Sequence, residues 1–160
     1  FNKKGLDSER LCVVSPDLGR AKAAKKLADL TNASIAIMHK ERPKHNAAEI
    51  TALIGDVEGK TCILNDDMID TAGTICMAAD MLMSRGAKSV RAAITHPVLS
   101  GPAYERINDS ALQEVIVTDT IPLNPDKDLH KFTVLSVADM FADVIERVHN
   151  YKEISSIFFK

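Results

Sequence analysis

A strand that leads directly into two adjacent carboxylates and a turn of small residues constrains the fold of this chain most. Residues 61–65, reading TCILN, form an apolar run typical of a buried strand. Asp66 and Asp67 follow at once, and the short loop 70–74 then opens an apolar-periodic helix over 75–84. Strand, turn and helix in this order are typical of α/β proteins, so the segment predicts that fold class.

Short apolar runs and amphipathic stretches alternate along the rest of the chain. The apolar runs predict strands over 11–15, 34–38, 49–54, 61–65, 90–95, 114–118 and 132–135. The amphipathic stretches predict helices over 20–30, 75–84, 102–108 and 137–148, and the polar segment 39–46 predicts a loop. Strands that are apolar throughout and alternate with helices indicate a parallel β-sheet flanked by helices on both faces.

Helical spacing predicts which side chains share a face of each helix. In the first helix these are Ala23, Leu27 and Leu30. In the second helix the inward-facing residues are Ile75, Ala78, Ala79 and Leu82. The last helix has an apolar stripe made of Val137, Met140, Phe141, Val144, Ile145 and Val148.

The composition is that of an ordinary globular domain. The chain has 160 residues, of which 46% are hydrophobic and 26% charged, which suffices for one domain with its own core. A formal net charge of -2 argues against nucleic acid as a partner. No apolar run reaches the roughly 18 residues of a membrane-spanning helix. The three cysteines lack CxxC spacing, which predicts free, mostly buried thiols in a reducing compartment.

The residues that follow the strands are the candidates for a site, because ligands of parallel sheets bind beyond the carboxyl ends of the strands. Asp17 follows the first predicted strand, and Lys40 and Arg42 follow the second. Asp66 and Asp67 follow the strand over 61–65. All five side chains are therefore expected at one edge of the sheet.

The loop 70–74, reading DTAGT, suits a phosphate group. A tight turn into a helix leaves backbone N–H groups free at the helix N-terminus, where anions are favoured. The neighbouring acid pair suits sugar hydroxyls or a hydrated Mg²⁺, so the combination indicates a phosphorylated sugar. The loop has neither Walker A nor GxGxxG spacing, and simple capping of the helix by Asp70 or Thr71 is the competing interpretation.

Several stretches together are similar to one enzyme family. These are CILNDDMIDTAGT over 62–74, VVSPDLG over 13–19, HKERPK over 39–44, THPVLSGPA over 95–103 and TDTIPL over 118–123. They resemble the C-terminal half of ribose-phosphate pyrophosphokinases, which have the type I phosphoribosyltransferase fold. The resemblance runs from about residue 11 to 158. It implies transfer of diphosphate from ATP to the 1-hydroxyl of ribose 5-phosphate, giving phosphoribosyl pyrophosphate and AMP, with Mg²⁺ as cofactor.

The resemblance also implies a role for each candidate residue. Lys40 and Arg42 match the catalytic loop, where Arg42 also contacts the substrate, and Asp17 matches a Mg²⁺ ligand. Asp66 and Asp67 match the residues that hold the ribose hydroxyls. The 5-phosphate would be bound by a run of five residues, Asp70, Thr71, Ala72, Gly73 and Thr74.

The family pattern further implies how the chain is organised. Residues 1–10 would be a junction that follows an N-terminal domain, and residues 11–160 the C-terminal phosphoribosyltransferase-like domain. The N-terminal half normally supplies the ATP-binding loop and a histidine ligand of Mg²⁺. We therefore expect these 160 residues to bind ribose 5-phosphate without forming product. A cytoplasmic homo-oligomer, a hexamer of bent dimers in this family, is expected, with ATP and ribose 5-phosphate as small-molecule partners and no membrane partner.

Some positions depart from the family pattern. Asn65 replaces a usually apolar residue, and Arg20 stands where glycine or another small residue is common. Glu153 places a negative charge where many relatives help to bind a regulatory phosphate. His96 also lies at a strand end that faces the site, but it is not included among the candidate catalytic residues.

Two other functions are compatible with the same motifs. One is a phosphoribosyltransferase that acts on a nucleobase, although the chain has no spare segment to cover a base. The other is a non-catalytic regulatory homologue that retains the fold for binding. Retention of Lys40, Arg42, Asp66 and Asp67 together argues against the second.

Overall fold

A computed structural model describes residues 10–41 and 49–158. Within these residues the strands are β1 (Leu11–Ser15), β2 (Ser34–Glu41), β3 (Glu49–Ile54), β4 (Thr61–Ile69), β5 (Ser89–Pro97), β6 (Leu112–Thr118) and β7 (Phe132–Leu135). The helices are α1 (Ala21–Thr31), α2 (Gly73–Ser84), α3 (Ala103–Asp109), α4 (Ala138–His149) and α5 (Ser155–Phe158), and a 3₁₀ turn (Leu18–Arg20) precedes α1. No helix in these two ranges is both long and apolar enough to cross a membrane.

The strands form one seven-stranded sheet in the order β3-β2-β1-β4-β5-β6-β7. Every neighbouring pair is parallel except β2 and β3, which are antiparallel. The order reverses direction at β1 and β4, and such a reversal is where α/β sheets bind ligands. The predicted sheet is confirmed, with an antiparallel edge strand added.

β2 is longer than the sequence predicted. The predicted strand ends at Met38, whereas β2 continues to Glu41. β3 folds back along β2 and pairs Lys40 with Ile50 and Glu41 with Glu49, which supplies hydrogen-bond partners for the extra residues. The loop prediction is therefore wrong for residues 39–41. Lys40 lies on a strand, and Arg42 lies outside the described residues.

The core lies on both faces of the sheet because successive strand residues point to opposite sides. Cys12 and Val14 belong to one cluster with buried residues of α2 and α3, whereas Val13 belongs to a second cluster with α1. The predicted inner face of α2 is confirmed, since Ile75, Ala78, Ala79 and Leu82 are all buried. Burial of a side chain as large as that of Leu82 contributes about 1.5–3 kcal/mol.

The inner face of α1 differs from the prediction. Its buried residues are Ala24 and Ala28, with Leu27 partly buried, whereas Ala23 is exposed and Leu30 is 66% exposed. The two alanines pack with Val13 of β1. Small side chains let the helix backbone approach the sheet closely, so the face with the largest side chains is not the face that is buried.

The apolar stripe of α4 is largely uncovered. The helix forms close to the predicted bounds, but none of its residues is buried, and Phe141 is 52% exposed. α4 follows β7, a four-residue strand at the sheet edge on which Val134 and Leu135 are themselves exposed. An edge strand this short leaves little sheet surface for the helix to cover.

All three cysteines are free thiols. Cys12 and Cys62 are fully buried neighbours on β1 and β4, as predicted, whereas Cys76 is only partly buried. Burial raises the pKa of the Cys76 thiol, which keeps it protonated and unreactive at neutral pH.

Candidate functional site

The acid pair lies within β4 and not beyond its end. β4 continues to Ile69 because β5 runs alongside as far as Pro97 and pairs with it at Asp66 and Met68. The predicted end of the strand at residue 65 is therefore too early. The Asp67 side chain is 57% exposed and that of Asp66 only 26%.

The two carboxylates are linked to each other through the backbone. The N–H of Asp67 donates to Oδ1 of Asp66 over 2.9 Å. Burial raises the pKa of the Asp66 carboxyl, and the neighbouring negative charge of Asp67 adds to this effect. Keeping both carboxyls ionised therefore costs folding free energy, and hydrogen bonds from the hydroxyls of a ligand would offset this cost.

Arg20 contacts both members of the acid pair. Its Nη1 lies 3.0 Å from Oδ2 of Asp67, and its Nε lies 3.4 Å from Oδ1 of Asp66. In the sequence, Arg20 stands out only as a departure from the family pattern, and this contact is not predicted. The signal that could have found it is a cation directly after the turn that ends β1, the strand next to β4.

The loop between β4 and α2 presents unpaired backbone donors. Ala72 has a left-handed conformation with φ of 62°, and α2 begins at the next residue. The N–H of Cys76 donates to the carbonyl of Ala72 over 3.1 Å. The N–H groups of Gly73, Thr74 and Ile75 find no acceptor among the described residues. This arrangement, on a helix of 12 residues, favours an anion.

The conformation of Ala72 carries strain. A left-handed residue with a Cβ atom costs about 1–2 kcal/mol. Gly73 does not have a positive φ, and a Cβ at that position would meet only Nη1 of Arg106 at 3.6 Å, an ordinary contact. Strain of this kind persists where the surrounding structure holds it, and it is concentrated at functional sites.

Two side chains and one backbone group from the segment after β5 hold the loop in place. Nη1 of Arg106 donates to the carbonyl of Thr71 over 3.0 Å, and the hydroxyl of Ser100 donates to Oδ1 of Asp70. The N–H of Leu99 donates to the carbonyl of Ile69 over 3.1 Å. Sequence reasoning missed Arg106, whose only signal is a basic residue on the helix that follows the neighbouring strand.

A pocket of about 460 Å³ brings most of the predicted residues together. It is lined by Pro16, Asp17, Asp66 and the run Met68, Ile69, Asp70, Thr71, Ala72, Gly73, Thr74 and Ile75. Its size is in the range of small-molecule sites. Asp67 does not line the pocket and is instead paired with Arg20.

Asp17 caps the 3₁₀ turn and also faces the pocket. Its Oδ1 accepts the N–H of Arg20 over 3.0 Å, and its carbonyl accepts the hydroxyl of Ser15 over 2.6 Å. The described ranges contain no group of three or more His, Cys, Asp or Glu side chains that could enclose a metal. Mg²⁺ is commonly held by one or two carboxylates together with water and substrate phosphates, and the exposed Asp17 fits that mode.

Lys40 and His96 are the other candidates that fall on described strands. Lys40 is described only by its position on β2, where it pairs with Ile50. Nδ1 of His96 lies 3.0 Å from the hydroxyl of Thr120, and both residues line a second pocket that also contains Asp119. The structure therefore does not bring His96 into the first pocket.

Comparison with known proteins identifies related sequences and folds. The model of the phosphoribosyl synthetase-associated domain matches residues 42–159. A ribose-phosphate pyrophosphokinase of Clostridium perfringens is 54% identical over 159 residues, which are 99% of this chain and 50% of that protein. Ribose-phosphate pyrophosphokinase 2 of Enterococcus faecalis is 51% identical over 158 residues, 99% of this chain and 49% of that protein.

A solved structure shows the same fold. The crystal structure of phosphoribosylpyrophosphate synthetase from Mycobacterium smegmatis superposes with a TM-score of 0.81 at 46% identity. The match covers 89% of this chain and 46% of that one. The chain spans about half the length of the curated relatives it matches.

Proposed function

Because the chain belongs to the phosphoribosyl synthetase-associated domain family, we propose that it forms the sugar-phosphate half of a ribose-phosphate pyrophosphokinase. The proposed reaction transfers diphosphate from ATP to the 1-hydroxyl of ribose 5-phosphate and gives phosphoribosyl pyrophosphate and AMP. The pocket that joins unpaired helix N–H groups to Asp66 of the acid pair supports this proposal most directly.

The 5-phosphate binds at the start of α2. The N–H groups of Gly73, Thr74 and Ile75 donate to its oxygens, with the hydroxyls of Thr71 and Thr74 beside them. Both threonines are exposed and line the pocket, so a ligand reaches them without rearrangement of the core. The dipole of α2 adds a favourable field for the dianion.

The ribose hydroxyls bind at the acid pair. Carboxylates accept hydrogen bonds strongly, and the hydroxyls of a sugar are suitable donors. A phosphate held at one end and hydroxyls held at the other fix the orientation of the sugar ring. Fixing both ends presents the 1-hydroxyl in one direction, and such positioning is the larger part of catalysis in phosphoryl transfer.

Charge stabilisation in the proposed reaction comes from cations around the transferred group. Asp17 would hold a Mg²⁺ that also binds ligand phosphates, and this ion would neutralise charge on the diphosphate. Lys40 and Arg42 are proposed as the catalytic cations that stabilise charge on the transferred group, with Arg42 also contacting the substrate. Residues 11–160 would then be the C-terminal domain of a cytoplasmic hexamer in which a separate domain binds most of the ATP.

Calorimetric titration of ribose 5-phosphate, with ribose and inorganic phosphate as partial ligands, tests the proposal. We expect ribose 5-phosphate to bind at least tenfold more tightly than either partial ligand, because only it reaches both ends of the pocket. Asp67→Asn should weaken this binding, whereas Asp126→Asn, in the exposed loop before β7, should not. Equal binding of ribose 5-phosphate and inorganic phosphate would contradict the proposal.

A second assay separates the proposal from nucleobase transfer. The chain is incubated with phosphoribosyl pyrophosphate and each common nucleobase, and nucleotide formation is followed by chromatography. We expect no nucleotide, since the proposed reaction joins diphosphate, and not a nucleobase, to the sugar. Nucleotide formation would favour the phosphoribosyltransferase alternative.

A further inference from the structure

Arg20 reaches the acid pair from the start of α1 in a defined geometry. Its backbone N–H is held by Asp17, and its guanidinium extends to β4, where Nη1 lies 3.0 Å from Asp67. Its side chain is 32% exposed and that of Asp66 is 26% exposed, so water screens this contact only partly.

We propose that Arg20 is a specificity-determining residue that keeps divalent cations off the Asp66–Asp67 pair and reserves these carboxylates for sugar hydroxyls. This inference rests on the proposed function, in which the acid pair binds the sugar hydroxyls. The exclusion of cations follows from the ion pairs themselves and can be measured separately.

Two adjacent carboxylates without Arg20 would attract Mg²⁺. Oxygen ligands from one or two aspartates are the usual protein contribution to a magnesium site. A guanidinium within 3.0 Å of Asp67 places a permanent positive charge where such an ion would sit. Arginine does not lose its proton at any accessible pH, so the repulsion does not depend on pH.

Neutral hydroxyls do not meet this repulsion. While both carboxylates are ionised, Oδ2 of Asp66 and Oδ1 of Asp67 accept no hydrogen bond from the described residues. Each of these oxygens can accept from one sugar hydroxyl while the contacts to Arg20 remain in place. The arrangement therefore leaves room for two donors at a position that a cation cannot share.

The guanidinium of Arg20 also faces Asp66. Its Nε lies 3.4 Å from Oδ1 of Asp66, is buried from solvent and makes no hydrogen bond to any described residue. A sugar hydroxyl can donate to the free carboxylate oxygens without displacing this N–H, whereas a metal ion bound to Oδ1 would lie against a permanent positive charge.

Mn²⁺ binding, followed by the electron paramagnetic resonance signal of the free ion, tests the inference on the whole chain without sugar. We expect Arg20→Gln to raise Mn²⁺ affinity at least tenfold, and the added Asp67→Asn change to abolish that gain. The Mn²⁺ affinity of Arg20→Lys, which keeps the charge, should remain close to that of the original chain. Arg147→Gln, which removes an equivalent charge from α4, should leave the Mn²⁺ affinity unchanged. Thermal unfolding of each variant confirms that it is folded.

Unchanged Mn²⁺ affinity in folded Arg20→Gln, or a gain that survives Asp67→Asn, would overturn the inference. In metal-free buffer, Arg20→Gln should weaken ribose 5-phosphate binding severalfold, because the guanidinium that holds the two carboxylates in position is lost. If the original chain fails to bind ribose 5-phosphate while Arg20→Gln still gains Mn²⁺ at Asp67, the exclusion of cations stands and the proposed function fails. The two results are therefore distinguishable.

Discussion

At the scale of single residues, Thr74 offers the cleanest test of the phosphate position. It is exposed, so Thr74→Val removes one hydroxyl from the pocket while keeping the shape of the side chain. A hydrogen bond to a charged group is worth about 1.5–3 kcal/mol, so we expect at least tenfold weaker binding of ribose 5-phosphate.

Calorimetric titration with ribose, which has no phosphate, is the control for Thr74→Val. Ribose binding should be the same for Thr74→Val and the original chain. An equal loss for both ligands would show that Thr74 supports the pocket generally and does not contact the phosphate.

The ionised Asp66 side chain should lower the free energy of unfolding while it contributes to sugar binding. Burial raises its pKa in the folded state above the ordinary value, so keeping it ionised at neutral pH costs folding free energy. We expect Asp66→Asn to raise the free energy of unfolding at pH 7 by about 0.5–1 kcal/mol, while sugar binding falls.

The pH dependence has a definite sign. Asp66 destabilises the original chain only where it is ionised in the folded state. This loss of folding free energy therefore disappears as pH falls through the raised pKa. The advantage of Asp66→Asn should therefore be greatest at neutral pH and vanish below about pH 4. Urea denaturation at several pH values measures it. A variant less stable than the original chain at pH 7 would show that Arg20 more than compensates the buried charge.

Residue types and spacing predicted that Asp66 and the loop 70–74 lie together at one edge of the sheet, although β4 reaches Ile69 and Asp67 does not line the pocket. They did not predict the contacts of Arg20 or Arg106. Arg20 meets Asp67 across 47 residues of sequence, and Arg106 meets Thr71 across 35. Pairings of that separation depend on the packing of neighbouring strands and helices, which no local pattern contains.

At the scale of elements, α3 supports the loop that precedes α2. Arg106→Met removes the hydrogen bond to the carbonyl of Thr71 but retains much of the aliphatic length. Because Arg106 is exposed, we expect a stability change below about 1 kcal/mol. Loosening of the loop should weaken ribose 5-phosphate binding about threefold to tenfold.

Arg147→Met is the matched control for this prediction. Arg147 pairs with Asp143 on α4 and contacts no residue of the pocket. Calorimetry should therefore give unchanged binding for this variant. Equal affinities for Arg106→Met and the original chain would show that α3 does not position the loop.

Element types were predictable, but their packing was less so. The inner face of α2 follows from spacing, because Ile75, Ala78, Ala79 and Leu82 stand at positions i, i+3, i+4 and i+7 of the helix. The inner face of α1 does not, since Ala24 and Ala28 are buried by a close approach to β1 that hydrophobicity does not reveal. The length of β2 depends on β3 folding back, which an apolar run cannot specify.

At the scale of the whole molecule, the alternation of strands and helices predicted a parallel sheet, but it did not predict the order of the strands or the antiparallel β3.

The chain covers about half the length of the curated relatives it matches, and a separate domain is proposed to bind most of the ATP. We therefore expect the 160 residues with ATP, ribose 5-phosphate and Mg²⁺ to form no detectable AMP in a coupled assay. Robust synthesis would show that one half contains a complete site.

The most direct test of the account is a nuclear magnetic resonance titration of the ¹⁵N-labelled chain with ribose 5-phosphate. Phosphate bound at the start of α2 would hydrogen-bond to the amides of Gly73, Thr74 and Ile75, which have no acceptor among the described residues. We expect the largest saturable shifts at these three amides, together with a smaller change at Asp67. Ribose should shift Asp67 alone. Shifts that leave all three amides unchanged at saturation would contradict the assignment of this pocket as the sugar-phosphate site.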